Sequence, residues 1–291
     1  MLASQRLVKS NTPVAKKRFG QHFLRDTGVL ERIVRWIQPA SDDLFVDIGA
    51  GDGALSARLA PNVSRVIAIE MDRDCIPQLE KSLRGFESAS VVQADILKLD
   101  MTDLFSESSR AGRKVRIAGN LPYNIATVII ERFLHTQMPI LDMFFMVQLE
   151  VAQRITASPG SRQYGYFSVF CQHNADVQMG FTVSSACFVP RPKVASAMVS
   201  FRPKSVRKSP EFESDFDVLC KAAFAYRRKT LENSLKKHSV FGKTTGDLLH
   251  RAGIDGNRRA EDLSVQEYES LVQIFTNDFK VQEFLNQPEK D

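Results

Sequence analysis

The sequence predicts a doubly wound α/β domain followed by a small all-helical one. Apolar, strand-length runs alternate with helical segments as far as Phe201. Several of those runs close on a glycine, an acid or an amide. Beyond the proline-bounded stretch from Pro203 to Pro210 only helical spacing remains.

The first strand is Leu44–Ile48, apolar except for one acid, Asp47. It opens into Gly49-Ala50-Gly51-Asp52-Gly53 before Ala54–Leu59 resumes with helical periodicity. Glycines at such a junction let the backbone turn tightly and approach a ligand at the carboxyl edge of a sheet. The second strand, Arg65–Ile69, ends in Glu70, where a carboxylate can accept from ribose hydroxyls; Met71 follows it. The third, Ser90–Ala94, ends in Asp95 beside Ile96, and the fourth, Val115–Gly119, ends in Asn120. A dinucleotide accounts for the loop and Glu70, but the loop lacks the full G-x-G-x-x-G spacing, and Asp95 and Asn120 stay unexplained. S-adenosylmethionine accounts for all of them: an adenine read by an acid next to an apolar residue, a ribose, and a sulfonium tail without phosphates. Each acid alone is more often a helix cap or a solvated turn, but their recurrence at successive strand ends points to one ligand site.

Asn120-Leu121-Pro122-Tyr123 adds the chemistry. An exocyclic amine on an aromatic ring is a poor nucleophile, because its lone pair is delocalised. The Asn120 side-chain oxygen and the Leu121 carbonyl, accepting its two N–H bonds, favour a pyramidal nitrogen, while Tyr123 stacks on the base. The tetrapeptide also reads as an ordinary turn, with Pro122 presetting its own φ.

Lys16–Leu24, Asp47–Gly51, Glu70-Met71-Asp72, Asp95, Asn120–Ile125, Gln148–Arg154 and Phe188–Val194 fall in an order that resembles the ribosomal RNA adenine N6,N6-dimethyltransferases, over nearly the whole chain and most of all the bacterial small-subunit type. The resemblance implies a Rossmann-like class I S-adenosylmethionine-dependent fold and transfer of two methyl groups to each of two neighbouring adenines near the 3′ end of small-subunit rRNA. It implies cofactor contacts at His22, Leu24, Gly49, Gly51, Glu70, Met71, Asp95, Ile96 and Asn120. His22 departs from many relatives, which carry Asn there. Phe188 is expected to stack opposite Tyr123; its alternative is a core phenylalanine, one of 20 in the chain. Phe224–Leu235 matches the small-subunit type specifically. Two rivals stand beside this reading: a large-subunit methyltransferase of the macrolide-resistance type, and a non-catalytic RNA-binding assembly or transcription factor.

Composition sets the partners. Thirty-nine basic against 34 acidic residues give a net charge of +5, which favours a polyanion. The excess is clustered: Arg6, Lys9, Lys16, Lys17, Arg18 and Arg25 precede the first acid, Asp26; Arg202, Lys204, Arg207 and Lys208 form a second group; Arg227-Arg228-Lys229 with Lys236-Lys237 form a third. Lys16, Lys17, Arg18, Arg191, Lys193, Arg227, Arg228 and Lys229 are the expected RNA contacts. Cys75, Cys171, Cys187 and Cys220 lack C-x-x-C spacing and read as reduced thiols of a cytoplasmic protein. No metal site and no membrane span are expected, and a monomer is the simplest assembly. The acid-free amino terminus has a mitochondrial presequence as its alternative reading.

Further along, Thr127–Leu134 and Val151–Ala157 read as helices, and Asp142–Gln148, Gly165–Cys171 and Ala195–Phe201 as strands, with Pro190-Arg191-Pro192 an extended loop. Helical spacing then marks Glu213–Tyr226, Thr230–Lys237, Thr245–Ala252 and Val265–Phe275. The expected organisation is a basic arm over 1–18, a methyltransferase domain over 19–203, a linker over 204–211 and a helical RNA-recognition domain over 212–291.

Overall fold

A computed structural model of the chain describes residues 15–16, 20–102, 105, 115–136, 138–206 and 208–280. Lys17, Arg18 and Arg207 lie outside the described residues.

The chain divides into two units, one of residues 1–152 and 179–202, the other of 153–178 and 203–291. The first unit is built on a seven-stranded sheet. Its strands are β2 (Leu44–Ile48), β3 (Arg65–Glu70), β4 (Ala89–Gln93), β5 (Val115–Asn120), β6 (Ile140–Gln148), β7 (Ala175–Val183) and β9 (Ser196–Pro203). Their order is β4-β3-β2-β5-β6-β9-β7, parallel from β4 through β6, with β9 antiparallel to β6. β1 (Phe23–Leu24) and β8 (Phe188–Val189) form a separate two-stranded antiparallel ribbon. β2, fully buried, reads as a continuous apolar run broken only by Asp47, as a strand covered on both faces should. The winding reverses between β2 and β5, which pair Asp47 with Ala118, so a crevice opens beyond their carboxyl ends, where doubly wound sheets bind ligands.

Helix α1 (Thr27–Ile37) is capped by Asp26, whose carboxylate accepts from the Val29 N–H, and buries Leu30, Ile33 and Ile37. α2 (Ser56–Leu59) follows the glycine loop, α3 (Ile76–Leu83) follows β3, α4 (Ala126–His135) follows the Asn120–Tyr123 tetrapeptide, and α5 (Leu149–Ile155) begins directly at the end of β6.

Two expectations are corrected. Gly165–Cys171 is not a strand: Gly165 is the N-cap of α6 (Tyr166–Asn174), and Tyr166–Cys171 lies within that helix. Its aromatic and β-branched residues favour extended structure, but the helix is buried nearly all round, so it shows no amphipathic period. The strand of this region is β7, where Val177, Met179, Phe181 and Val183 alternate with Asp176, Gln178, Gly180 and Thr182 along a sheet edge. The domain boundaries at 19–203 and 212–291 are the second correction, because residues 153–178 group with the carboxyl-terminal unit. The linker over 204–211 also ends early, since Ser209 caps a helix that starts at Pro210.

That second unit packs α6 with α7 (Pro210–Phe224), α8 (Leu231–Leu235), α9 (Thr245–Arg251) and α10 (Val265–Ile274) around one apolar cluster. His173 of α6 lies against Phe216 of α7, ring centroids 3.8 Å apart. Its two ring nitrogens meet Glu269 of α10 at 2.8 Å and Glu213 of α7 at 3.0 Å. One imidazole thereby ties three helices of this unit together, and Val169 of α6 adds to its apolar cluster.

Candidate active site

A cavity of about 250 Å³ opens at the carboxyl ends of β2, β3, β4 and β5 in the first unit. All the residues expected at the cofactor, from His22 and Leu24 through Gly49, Gly51, Glu70, Met71, Asp95 and Ile96 to Asn120, line it, as do Leu121 and Tyr123. Backbone geometry explains the glycine loop. Gly49 and Gly51 adopt φ of 68° and 60°, and a Cβ on Gly51 would sit 3.0 Å from the Phe23 ring. On the facing strand, a Cβ at Gly119 would lie 2.5 Å from the Ile48 carbonyl oxygen, so only glycine lets β5 approach β2 this closely.

Among the described residues four carboxylates line the cavity, Asp47, Asp52, Glu70 and Asp95, and no lysine or arginine does. Asp52 is neutralised by Arg25. Glu70 is buried, and its two oxygens accept from the backbone N–H groups of Gly51 and Asp72, each at 2.8 Å. Burial pushes its carboxyl above the ordinary range, against the pull of those amides. Asp47, 1% exposed, is pushed up to about 7 by burial, although the Ser56 hydroxyl donates to it at 2.5 Å. Asp95 accepts the Leu97 N–H at 3.0 Å, which turns the loop so that Asp95 and Ile96 both face the cavity.

This donor set fits S-adenosylmethionine. A ligand with phosphates needs cations or an array of free amides, and the lining offers acids instead. A positively charged sulfonium and amine with a hydroxyl-bearing ribose suits such a lining, in which Glu70, Asp95, Ile96 and the Gly49–Gly51 backbone are the groups available to hold it.

The other half of the cavity is built from aromatic and amide groups. The Asn120 Nδ2 donates to the His22 carbonyl at 2.7 Å, which fixes the amide and leaves Oδ1 as its acceptor. The His22 ring stacks on Tyr123 with centroids 5.2 Å apart, and its Nδ1 donates to the Pro190 carbonyl at 2.7 Å. Tyr123 is held at its far end by a 2.6 Å hydrogen bond with the Ser196 hydroxyl, and burial raises its phenol above the usual value. Ser196 was not legible as a site residue, because only the pairing of β9 with β6 brings it to this edge.

Phe188 is placed differently from the expectation that it stacks opposite Tyr123. It is 2% exposed, pairs with Leu24 in the β1–β8 ribbon, packs in the cluster with Phe144, Met146 and Met198, and is not among the lining residues. Lys16 is also corrected. Its ammonium lies 2.5 Å from Asp72 and 2.6 Å from Asp74, so its charge is engaged by protein acids rather than offered to phosphate. Asp72 in turn is held below the ordinary carboxylate range: burial acts the other way, but the Lys16 and Gln21 hydrogen bonds prevail. Arg191, Lys193, Arg227, Arg228 and Lys229 are exposed. Among the described residues no cluster of His, Cys, Asp and Glu suits a metal ion, and no helix is long and apolar enough to cross a membrane.

The model of the ribosomal RNA adenine dimethylase family matches residues 13–277. The chain is 42% identical over 264 residues to the ribosomal RNA small subunit methyltransferase A of Chromohalobacter salexigens, covering 89% of this chain and 91% of that protein. It is 38% identical over 262 residues to the protein of the same name from Bacillus mycoides, covering 88% and 89%. Among solved structures, a dimethyladenosine transferase from Plasmodium falciparum superposes with a TM-score of 0.76 at 22% identity, covering 88% of this chain and 98% of that one. The 23S rRNA methyltransferase ErmE gives 0.68 at 22% identity, covering 86% and 98%. At that identity the two structures speak to the fold.

Proposed function

The chain belongs to the ribosomal RNA adenine dimethylase family and is an S-adenosylmethionine-dependent enzyme, and from that premise we propose that it dimethylates N6 of two adjacent adenines in the 3′-terminal hairpin loop of small-subunit rRNA. The observation that carries the reading is the fixed amide of Asn120: with Nδ2 committed to the His22 carbonyl, Oδ1 is the acceptor the cavity presents to an incoming amine.

S-adenosylmethionine, when bound, supplies an electrophilic methyl group on a positively charged sulfur. Asn120 Oδ1 and the Leu121 carbonyl accept the two N6–H bonds and favour a pyramidal nitrogen whose lone pair faces that methyl group. Tyr123, fixed by Ser196 at its hydroxyl, stacks on the adenine. Phe188 takes no part in that stacking; it pairs with Leu24, which lines the cavity, in the β1–β8 ribbon. The methylated nitrogen becomes acidic enough to release a proton to water, so no side chain needs to act as a base. Catalysis then rests on orientation and on partial charges already in place.

Arg191 and Lys193 in the first unit, and Arg227, Arg228 and Lys229 in the second, contact phosphates, and the target adenine is extruded from its stack to reach the cavity. The protein works in the cytoplasm as a single chain, without a metal ion, during small-subunit biogenesis. The test is incubation of the purified protein with radiolabelled S-adenosylmethionine and undermethylated small subunits, with large subunits in parallel, followed by identification of the labelled nucleoside. Dimethyladenosine from small-subunit RNA alone is expected. Label confined to large-subunit RNA moves the substrate to the resistance type, and no label from either, with cofactor binding intact, favours a non-catalytic assembly factor. In the same assay Asn120→Ala should lower methylation by roughly a thousandfold, as removal of a transition-state acceptor does, while RNA binding stays within about twofold. Equal loss of both gives Asn120 a structural role instead.

A further inference from the structure

We propose that Arg132 is a positioning residue for the cofactor's adenine, acting through the loop that carries Asp95 and Ile96. β4 is an edge strand of the sheet, so the loop that leaves it has a neighbouring strand on one side only. Support comes instead from α4, the helix that follows the Asn120–Tyr123 tetrapeptide. Ile125 and Ile129 of that segment line the cavity, and Arg132 stands three residues beyond Ile129, on the neighbouring position of the same face. Its half-buried guanidinium reaches into the loop: Nη1 donates to the Leu97 carbonyl at 2.7 Å and Nη2 to the Leu99 carbonyl at 2.6 Å. The loop is a tight one, in which the Lys98 and Leu99 N–H groups each donate to the Asp95 carbonyl at 2.9 Å and the Leu97 N–H donates to the Asp95 carboxylate. A planar fork across two carbonyls fixes both the position and the tilt of that turn, which a lysine, presenting a single point of charge, cannot do. Arg132 thereby joins the segment proposed to recognise adenine to the helix that seats the amine-accepting tetrapeptide, with no contact to the ligand itself.

The inference rests on the cofactor assignment and not on the identity of the RNA. Arg132→Lys and Arg132→Gln are compared with the wild-type chain by calorimetric titration of S-adenosylhomocysteine and of 5′-methylthioadenosine, which keeps adenine and ribose but lacks the amino-acid end. Both ligands should bind Arg132→Gln roughly tenfold more weakly, and Arg132→Lys should fall severalfold despite keeping its charge, as expected when a recognising group loses its support. The methylation rate at saturating cofactor should stay within about twofold, with the change confined to the KM for S-adenosylmethionine. Unchanged affinity in Arg132→Gln overturns the proposal. So does weakening that disappears once affinity is expressed per folded molecule, measured by thermal melting of the same samples. A wild-type chain that fails to bind S-adenosylhomocysteine removes the cofactor assignment itself, whereas a wrong rRNA assignment leaves these titrations untouched.

Discussion

The two ends of one sheet treat buried charge in opposite ways. At the amino ends of β2, β5 and β6, Arg116 gives Nε and Nη2 to Asp142 at 2.7 and 2.9 Å, Nη1 to Asp43 at 2.7 Å, and further bonds to the Gln38 and Ile37 carbonyls at 3.1 and 2.8 Å. All three residues are under 8% exposed, and each acid has its cation. At the carboxyl ends, Asp47 and Glu70 are equally buried, yet among the described residues neither has a cation within ion-pair distance. The first end is a closed structural network. The second leaves carboxylates for a ligand to complete, which is how perturbed groups come to mark binding sites.

Breaking the closed end should have the largest effect. Arg116→Met strands two buried carboxylates, so it should cost about 3–5 kcal/mol in a urea unfolding titration, enough to unfold a marginal variant. A loss under 1 kcal/mol would mean that water already compensates these acids. The same operation at the open end should act with the opposite sign. Asp47 is near 3.8 in the unfolded chain and about 7 in the folded one, so the folded state binds the extra proton between those values. Asp47 should therefore contribute a loss of stability as pH rises from about 4 to 7, on the order of 4 kcal/mol in total, read as the difference between wild type and an Asp47 variant. Asp47→Asn keeps an acceptor for Ser56 and removes the ionisation, so it should flatten that slope and equal or exceed wild-type stability at pH 8. Identical pH profiles for the two chains would show that Asp47 ionises in the fold without cost.

How far the comparison could be read from sequence differs between the ends. The carboxyl edge was legible because each strand announces its end with a different residue type: Gly49 and Gly51, Glu70, Asp95, Asn120. The solitary Asp47 in an apolar strand was a signal too. The amino end was not, because Asp43, Arg116 and Asp142 are far apart in the chain and look like ordinary surface charges until the strand order sets them side by side. Phe188 and Lys16 failed for a related reason. A motif gives a residue's neighbours along the chain, and only packing decides that one ring turns into the core and one ammonium turns to Asp72. In the helical unit, the spacing of α7 through α10 was readable, while α6 was hidden by its own burial. The β7 alternation was present in the sequence and was outweighed by the aromatic run before it.

The central claim, that the open end is the cofactor's anchor, is tested most directly by titrating S-adenosylhomocysteine into wild-type and Glu70→Gln protein. A neutral amide keeps the size of the side chain but loses the charge that strengthens its bonds, so affinity should fall roughly 10–100-fold. The amide nitrogen of Gln cannot accept from the second of the two backbone N–H groups that Glu70 holds, so the variant should melt somewhat lower, and affinity is compared per folded molecule. Equal affinity in the two proteins contradicts the account, since the buried charge of Glu70 would then serve no ligand.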